Sequence, residues 1–337
     1  MQVRQYVLRR LLFLPLVVLG VSIIVFALTR FSGSPVAIYQ HPDMSQEQIA
    51  VLQSRYHLDD PVPVQYLFWL KGAVSGDLGW SGVSVAPVVD VIPNKLAATM
   101  ELAICAGLVA VLLGVALGTI AGARKDRAAD HFVRLFAISG ASVPIFWFGL
   151  LLLIPLYVEW GVFPIGRSSP EFFERIGHPT GMYTIDALLN LDLRAFLDAV
   201  WHLTLPAITL GFATTAIIAR MMRSSMVEEV TEDYVDAARA KGLPERLVIR
   251  RHARRNALMP TVTVIGLSFG FLLQGTVAVE LIFRWPGLGQ WVTSAITAGD
   301  QATIMAYVLV TSLIFLLVNL LVDVAYAYLD RRVVLGG

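Results

Sequence analysis

Between Tyr234 and Pro260 the chain reads YVDAARAKGLPERLVIRRHARRNALMP, a polar stretch set between long apolar runs. Its residue types suit docking. Thr231 is placed to cap a helix whose first turn holds Glu232 and Asp233, favourable at the positive end of the helix dipole. That helix continues through Tyr234, Asp236, Ala237, Ala238 and Ala240, where small side chains after the Tyr let another backbone approach closely. Lys241 and Gly242 then end it, and Leu243 and Pro244 restart a second helix with Pro at its first position. Arg246, Arg250 and Arg254 recur every four residues as a basic stripe, with Leu247, Ala253 and Leu258 on other faces. A helix, a tight Gly turn and a second helix make a rigid knob suited to a groove on a cytoplasmic partner. The basic residues taken alone are explained as well by topology, and the alanines alone by helix propensity. The acidic-Ala-Ala, Gly, Pro turn combined with Asn256 to Pro260 is far more specific.

A second set of polar residues lies inside or beside the apolar runs. Glu101 follows Thr99 near the start of one run, where an intramembrane carboxylate would be costly; in a first helical turn it reads as a capping or interface group. Ser142, Pro144 and Trp147 fall in SVPIFWFG, which puts a Pro and small residues in a bilayer helix. Such a break is tolerated where neighbours or water satisfy the freed backbone, so the segment either faces a partner or pathway or is a packing kink. His202 either lines a pathway or makes an interfacial hydrogen bond. Glu280 is a further pathway candidate, from position alone. Cys105, the single cysteine, reads as a small buried residue.

These groups must be carried by membrane helices. The 337 residues are 56% hydrophobic and 15% charged, too apolar for one water-facing domain. Six spans of about 20 residues would use about 120. The expected spans are 11–28, 96–123, 135–157, 200–218, 261–279 and 304–325, an all-α polytopic protein. Met1 to Ala27 is read as a retained span rather than a signal peptide, because 18 residues from Leu11 carry no charge and no cleavage site follows. Residues 31–95 form an outer segment in which Tyr66 to Leu70 supply apolar material, and Trp160 to Asp198 form a second. Trp285 and Trp291 sit where aromatic belts form, and Pro286 to Gly289 breaks the helix. With the N-terminus cytoplasmic, 18 of the 26 Lys and Arg fall on inner segments, which supports both termini inside. The organisation is then an N-terminal span over 1–30, the outer segment 31–95, and a core of five spans over 96–337 that includes the cytoplasmic loop 223–260. No nucleic-acid partner and no metal spacing are implied.

The Asp236-Ala237-Ala238, Gly242, Asn256, Pro260 pattern resembles the E-A-A-x3-G loop of ATP-binding-cassette (ABC) importer permeases. Tyr6 to Arg10, Gly76 to Gly79, Ser142 to Gly149, Arg223 to Met226 and Trp285 to Gly289 extend the resemblance over nearly the whole chain, to the inner-membrane permease subunits of dipeptide, oligopeptide and nickel importers. Asp236 stands where the family pattern has Glu; the carboxylate is kept with a shorter reach. The resemblance implies a type I importer permease fold in a prokaryotic inner membrane. It also implies a second homologous permease subunit, two ATP-binding subunits and an extracytoplasmic solute-binding protein. Asp236 to Arg246 would couple ATPase closure to helix movement, with ATP and Mg on the partner subunits. No G-x4-G-K-[ST] phosphate loop occurs here, so this chain is not expected to hydrolyse ATP. Short peptides are the first expected substrate, oligosaccharides or chelated nickel the alternatives. An ion-driven secondary transporter would instead show paired intramembrane carboxylates or repeat-related broken helices.

Overall fold

A computed structural model of the chain describes residues 3–32, 54 and 59–329. Of the expected outer segment 31–95, residues 33–53 and 55–58 lie outside the described residues, as do Arg331 and Arg332. Among the described residues, five helical stretches are long and apolar enough to cross a membrane, or six if one bent pair counts as a span. They are α1 (Val3–Ser32), α3 (Val88–Ala123), the pair α4 (Ala128–Ser142) and α5 (Ile145–Leu153), α8 (Leu193–Glu229), α10 (Glu245–Leu247) continuing into α11 (Arg254–Ile282), and α13 (Gln301–Leu329). Short helices α2 (Val62–Val74), α6 (Pro170–Arg175), α7 (Tyr183–Leu189), α9 (Asp233–Ala240) and α12 (Leu288–Ala298) lie between them. The chain divides into two compact units, residues 1–98 with 286–337, and residues 99–285.

In the first unit α1 packs along α13. Pro61 and Pro63 start α2, where a missing N–H leaves nothing unsatisfied. The apolar material expected in this segment packs on α1: Tyr66 and Trp69 lie 5.3 and 5.8 Å from the Phe26 ring, and the Tyr66 hydroxyl bonds Ser22 Oγ at 2.8 Å. A two-residue antiparallel pairing, Trp80–Ser81 with Ala86–Pro87, comes next. It is fixed through Asp300, whose carboxylate accepts from Ser81 Oγ at 3.1 Å, Val83 N at 3.2 Å and Thr303 Oγ1 at 2.8 Å. Trp291 is 3% exposed and its indole donates to Ser84 Oγ at 2.8 Å. It is therefore a core residue, not the member of an aromatic belt that its place beside an apolar run suggested.

In the second unit α8 is the central helix, packed by α4, α5, α7 and α11. Asp192 caps it, accepting from Arg194 N at 3.0 Å and Ala195 N at 3.1 Å. Close approach of α3 to α8 depends on Gly114, Gly118 and Gly122 at four-residue steps. A Cβ on Gly118 would lie 2.6 Å from the Ala219 carbonyl oxygen, a small-residue contact of the kind that drives membrane-helix packing.

Three expectations change here. The third span is not one helix: α4 and α5 meet at 111°. Val143, preceding Pro144, is extended at ψ 121, and Pro144 has no N–H to continue the ladder. Then α3 begins at Val88, not near Leu96, so Glu101 lies in its fourth turn, where no free N–H groups remain to be capped. Trp285 is 1% exposed and, like Trp291, belongs to a core.

Candidate functional site

The stretch from Arg223 to Pro260 folds back on the end of α8. Val235 and Ala238 of α9, Val248 and Ala253 of the following turn and Ala257 of α11 close over Met222 and Met226 of α8 in one apolar cluster, with Leu243 packed against it. Val235 and Val248 are fully buried, which stabilises by about 2 kcal/mol each relative to exposure. The opposite side is open: Asp236, Ala237, Ala240, Lys241, Gly242, Pro244 and Arg246 are all exposed. Gly242 adopts φ +75, the left-handed conformation that ends a helix without strain when no Cβ is present. The eight expected loop residues thus come together as one knob, Ala238 and Leu243 rooted inward and six facing out.

Local chemistry departs from expectation in three respects. Glu232, not Thr231, occupies the capping position of α9, and the Thr231 hydroxyl donates to Glu228 O at 2.8 Å instead. Pro244 is the residue preceding α10 rather than its first. The basic stripe is broken by a π-helical turn, Val248–Ala253, which takes in one residue more than an α turn and shifts the register of the helix beyond it. Arg239, which drew no notice in the sequence, holds the knob together. Its guanidinium donates to Asp236 Oδ1 at 2.9 Å, Glu245 Oε1 at 3.0 Å and Val230 O at 3.3 Å, joining α9 to the end of α8 and the start of α10. At the base of the loop, Arg223 donates to both oxygens of the buried Asp130, one at 3.0 Å, and ties α8 to α4. Burial, then the hydrogen bond to Glu229, raise the Tyr234 phenol above its ordinary value.

The expected pathway residues fall at three separate places. Ser142, Pro144 and Trp147 are exposed around the α4–α5 break. His202 is 4% exposed in α8, its Nδ1 2.9 Å from Asp198 O, a buried and hydrogen-bonded helix residue. Glu280, near the end of α11, is fully buried and accepts from Thr99 Oγ1 at 2.7 Å.

Sequence inspection missed the partner of Glu101. Arg167, in the segment that showed no period, donates to Glu101 Oε2 through Nε at 2.9 Å and Nη2 at 2.6 Å. Thr184 gives Glu101 Oε1 its N–H at 2.7 Å and its hydroxyl at 2.8 Å. Arg167 also donates to Gly181 O and stacks 3.8 Å from the Tyr183 ring centre. The charges are paired and hydrogen-bonded, which is the condition for burying them.

Residues 114–335 match the family described as the binding-protein-dependent transport system inner membrane component. The chain belongs to this family. It is 40% identical to the dipeptide transport system permease protein DppB of Escherichia coli (strain K12), over 98% of both chains. It is 38% identical to the probable D,D-dipeptide transport system permease protein DdpB of the same strain, over 96% of both. The glutathione transport system permease protein GsiC of Escherichia coli O6:H1 is 37% identical, over 97% of this chain and 98% of that one. The binding-protein-dependent permease described here is thus a non-catalytic membrane subunit of a bacterial ABC importer, located in the inner membrane. Such a system includes a solute-binding protein, and ATP is handled on separate ATPase subunits.

Proposed function

We propose that this permease forms half of a translocation pathway for dipeptides or short oligopeptides, paired with a second homologous permease subunit and served by two ATP-binding subunits that hold ATP and Mg. It crosses the bilayer six times, the bent α4–α5 pair counting once, with both termini cytoplasmic. Residues 1–30 supply the first span, 31–95 the extracytoplasmic segment, and 96–337 the core. Asp236, Ala237, Ala238, Lys241, Gly242, Leu243, Pro244 and Arg246 couple it to the ATPase. Ser142, Pro144, Trp147, His202 and Glu280 stand nearest the pathway.

The observation that carries this is the two-sided construction of the α9–α10 knob. Its outer side is free to dock, while its inner side is packed on Met222 and Met226 of α8. A push on the knob is therefore delivered to the helix around which the second unit is built. ATP can shift the transporter between states only by favouring one of them, and a rigid contact to a central helix supplies that difference. Peptide rather than sugar is the reading that the relatives support, since their names are those of dipeptide, D,D-dipeptide and glutathione systems.

The test is co-expression of the tagged chain with its genomic neighbours, purification in mild detergent, and reconstitution with the binding protein. Recovery of a second permease and ATPase subunits, with peptide-stimulated ATP turnover and uptake of labelled dipeptide, is expected. Uptake driven by an ion gradient from the chain alone would refute the assignment. Stimulation by oligosaccharide but not peptide would refute the substrate class and leave the coupling intact.

A further inference from the structure

Beside the knob, Tyr234, Arg251, His252, Arg255, Asn256 and Met259 line a cavity of about 470 Å³. Arg251, Arg255 and Met259 succeed one another at four-residue steps along one face, with His252 and Asn256 on the next. The π turn brings them there. Its extra residue moves the line of cations that reaches the cavity to Arg251 and Arg255, away from the Arg246, Arg250, Arg254 register.

Both guanidiniums are exposed, and no carboxylate pairs with either of them among the described residues. Two acids act on Tyr234, Glu229 and Glu232. Glu229 is engaged as the acceptor of the Tyr234 hydroxyl. Two fixed cations and an imidazole therefore line the space beside the Asn256 amide, which also hydrogen-bonds the Tyr234 hydroxyl, and Glu229 and Glu232 are the acids that act on its Tyr234 wall. Immediately beyond, α11 turns apolar and carries no charged side chain from Ala257 to Val279. On the six-span reading proposed above, on which this step rests, the cavity falls where the helix passes from water into the bilayer, at the level of lipid phosphates. Met259, 64% exposed at its edge, is apolar surface on the membrane side of the same cavity. Cationic pockets at this level are suited to anionic headgroups.

We propose that this cavity binds a phosphate-type oxyanion carried by an anionic phospholipid headgroup. Arg251 and Arg255 fork onto the non-bridging oxygens, Asn256 adds a neutral donor, and Met259 lies against the first methylenes of an acyl chain. The site goes beyond the coupling assignment and does not depend on it.

The test uses the full-length chain in an uncharged detergent, titrated with phosphatidylglycerol or phosphatidylcholine of equal chain length, with bound lipid counted by native mass spectrometry. Phosphatidylglycerol should be retained in preference, and Arg251→Gln with Arg255→Gln should lower its retention about thirtyfold, as expected for two cations at a membrane surface. Phosphatidylcholine binding should not change. Arg246→Gln with Arg250→Gln removes the same charge from the same loop and should leave phosphatidylglycerol bound. Equal losses from the two double variants would overturn the pocket in favour of diffuse attraction. Inorganic phosphate bound by the lipid-free chain, with phosphatidylglycerol ignored, would overturn the lipid source. If the double variant unfolds, Arg255→Lys, which keeps the charge and removes the fork, should still lose several-fold; retention at the original level would also refute the site.

Discussion

Arg167 and Glu101, 66 residues apart in sequence, form a buried ion pair with Nη2 2.6 Å from Oε2, the two side chains 6% and 2% exposed. The pair fixes the segment between α5 and α7 to the fourth turn of α3. Glu101 Oε1 has further partners in the Thr184 N–H and hydroxyl, and the guanidinium in Gly181 O and the Tyr183 ring.

Arg167→Met leaves Glu101 buried without its cation, and Glu101→Gln does the reverse to Arg167. Each should destabilise by about 3–5 kcal/mol, read as a lower unfolding midpoint in detergent. Glu101→Gln with Arg167→Met removes both charges, so its loss should be well below the sum of the singles. Additive losses would mean that the two residues act separately.

The α3–α8 contact gives a second expectation. Gly118→Ala places a methyl 2.6 Å from Ala219 O, and because that neighbour is backbone, the helices must separate. A loss of about 1–3 kcal/mol is expected, the usual range for overpacking, and Gly118→Leu should prevent recovery of folded protein. By contrast Gly20, with no atom within 4 Å of a built Cβ, should accept Ala with no change in the midpoint.

The parts that could be read from the sequence were those with local causes. The α9 knob was marked by Gly242 and Pro244, which act on their own backbone, and α1, α8, α11 and α13 by long, mainly apolar runs. Where α3 begins was obscured because Asp90, Pro93 and Asn94 look like loop, yet the helix runs through them. Glu101 was consequently assigned to a first turn. Arg167 and Arg239 gave no signal, since pairing across distant or irregular segments leaves no periodic trace. The π turn at Val248–Ala253 likewise has no residue signature, and it shifts the register of the arginines that follow it. Trp285 and Trp291 were placed at the membrane surface by residue type, whereas their burial is set by tertiary contacts.

Gly242 separates folding from coupling. Its φ is +75 and nothing lies within 4 Å of a built Cβ, so a side chain there strains the backbone by about 1–2 kcal/mol but collides with nothing in this chain. Gly242→Trp should insert into the membrane and fold, and should abolish transport because the indole projects from the docking side. Gly242→Ala should keep most of the uptake. The readouts are membrane yield, labelled-peptide uptake and peptide-stimulated ATP turnover. Normal uptake by Gly242→Trp would refute docking through this turn.

Asp236 tests the same site through charge. Its side chain is 69% exposed and pairs with Arg239 at 2.9 Å; an exposed pair of this kind contributes about 1 kcal/mol or less. Arg239 keeps Glu245 and Val230 as acceptors when Asp236 is removed, so the knob stays assembled. Asp236→Ala should therefore leave the unfolding midpoint within a few degrees of the parent while uncoupling ATP turnover from peptide. Asp236→Glu, which keeps the carboxylate and is the residue of the family pattern, should leave coupling intact. A large fall in stability with Asp236→Ala would instead assign this carboxylate to holding the loop, and the docking surface would have to be sought at Lys241, Pro244 and Arg246.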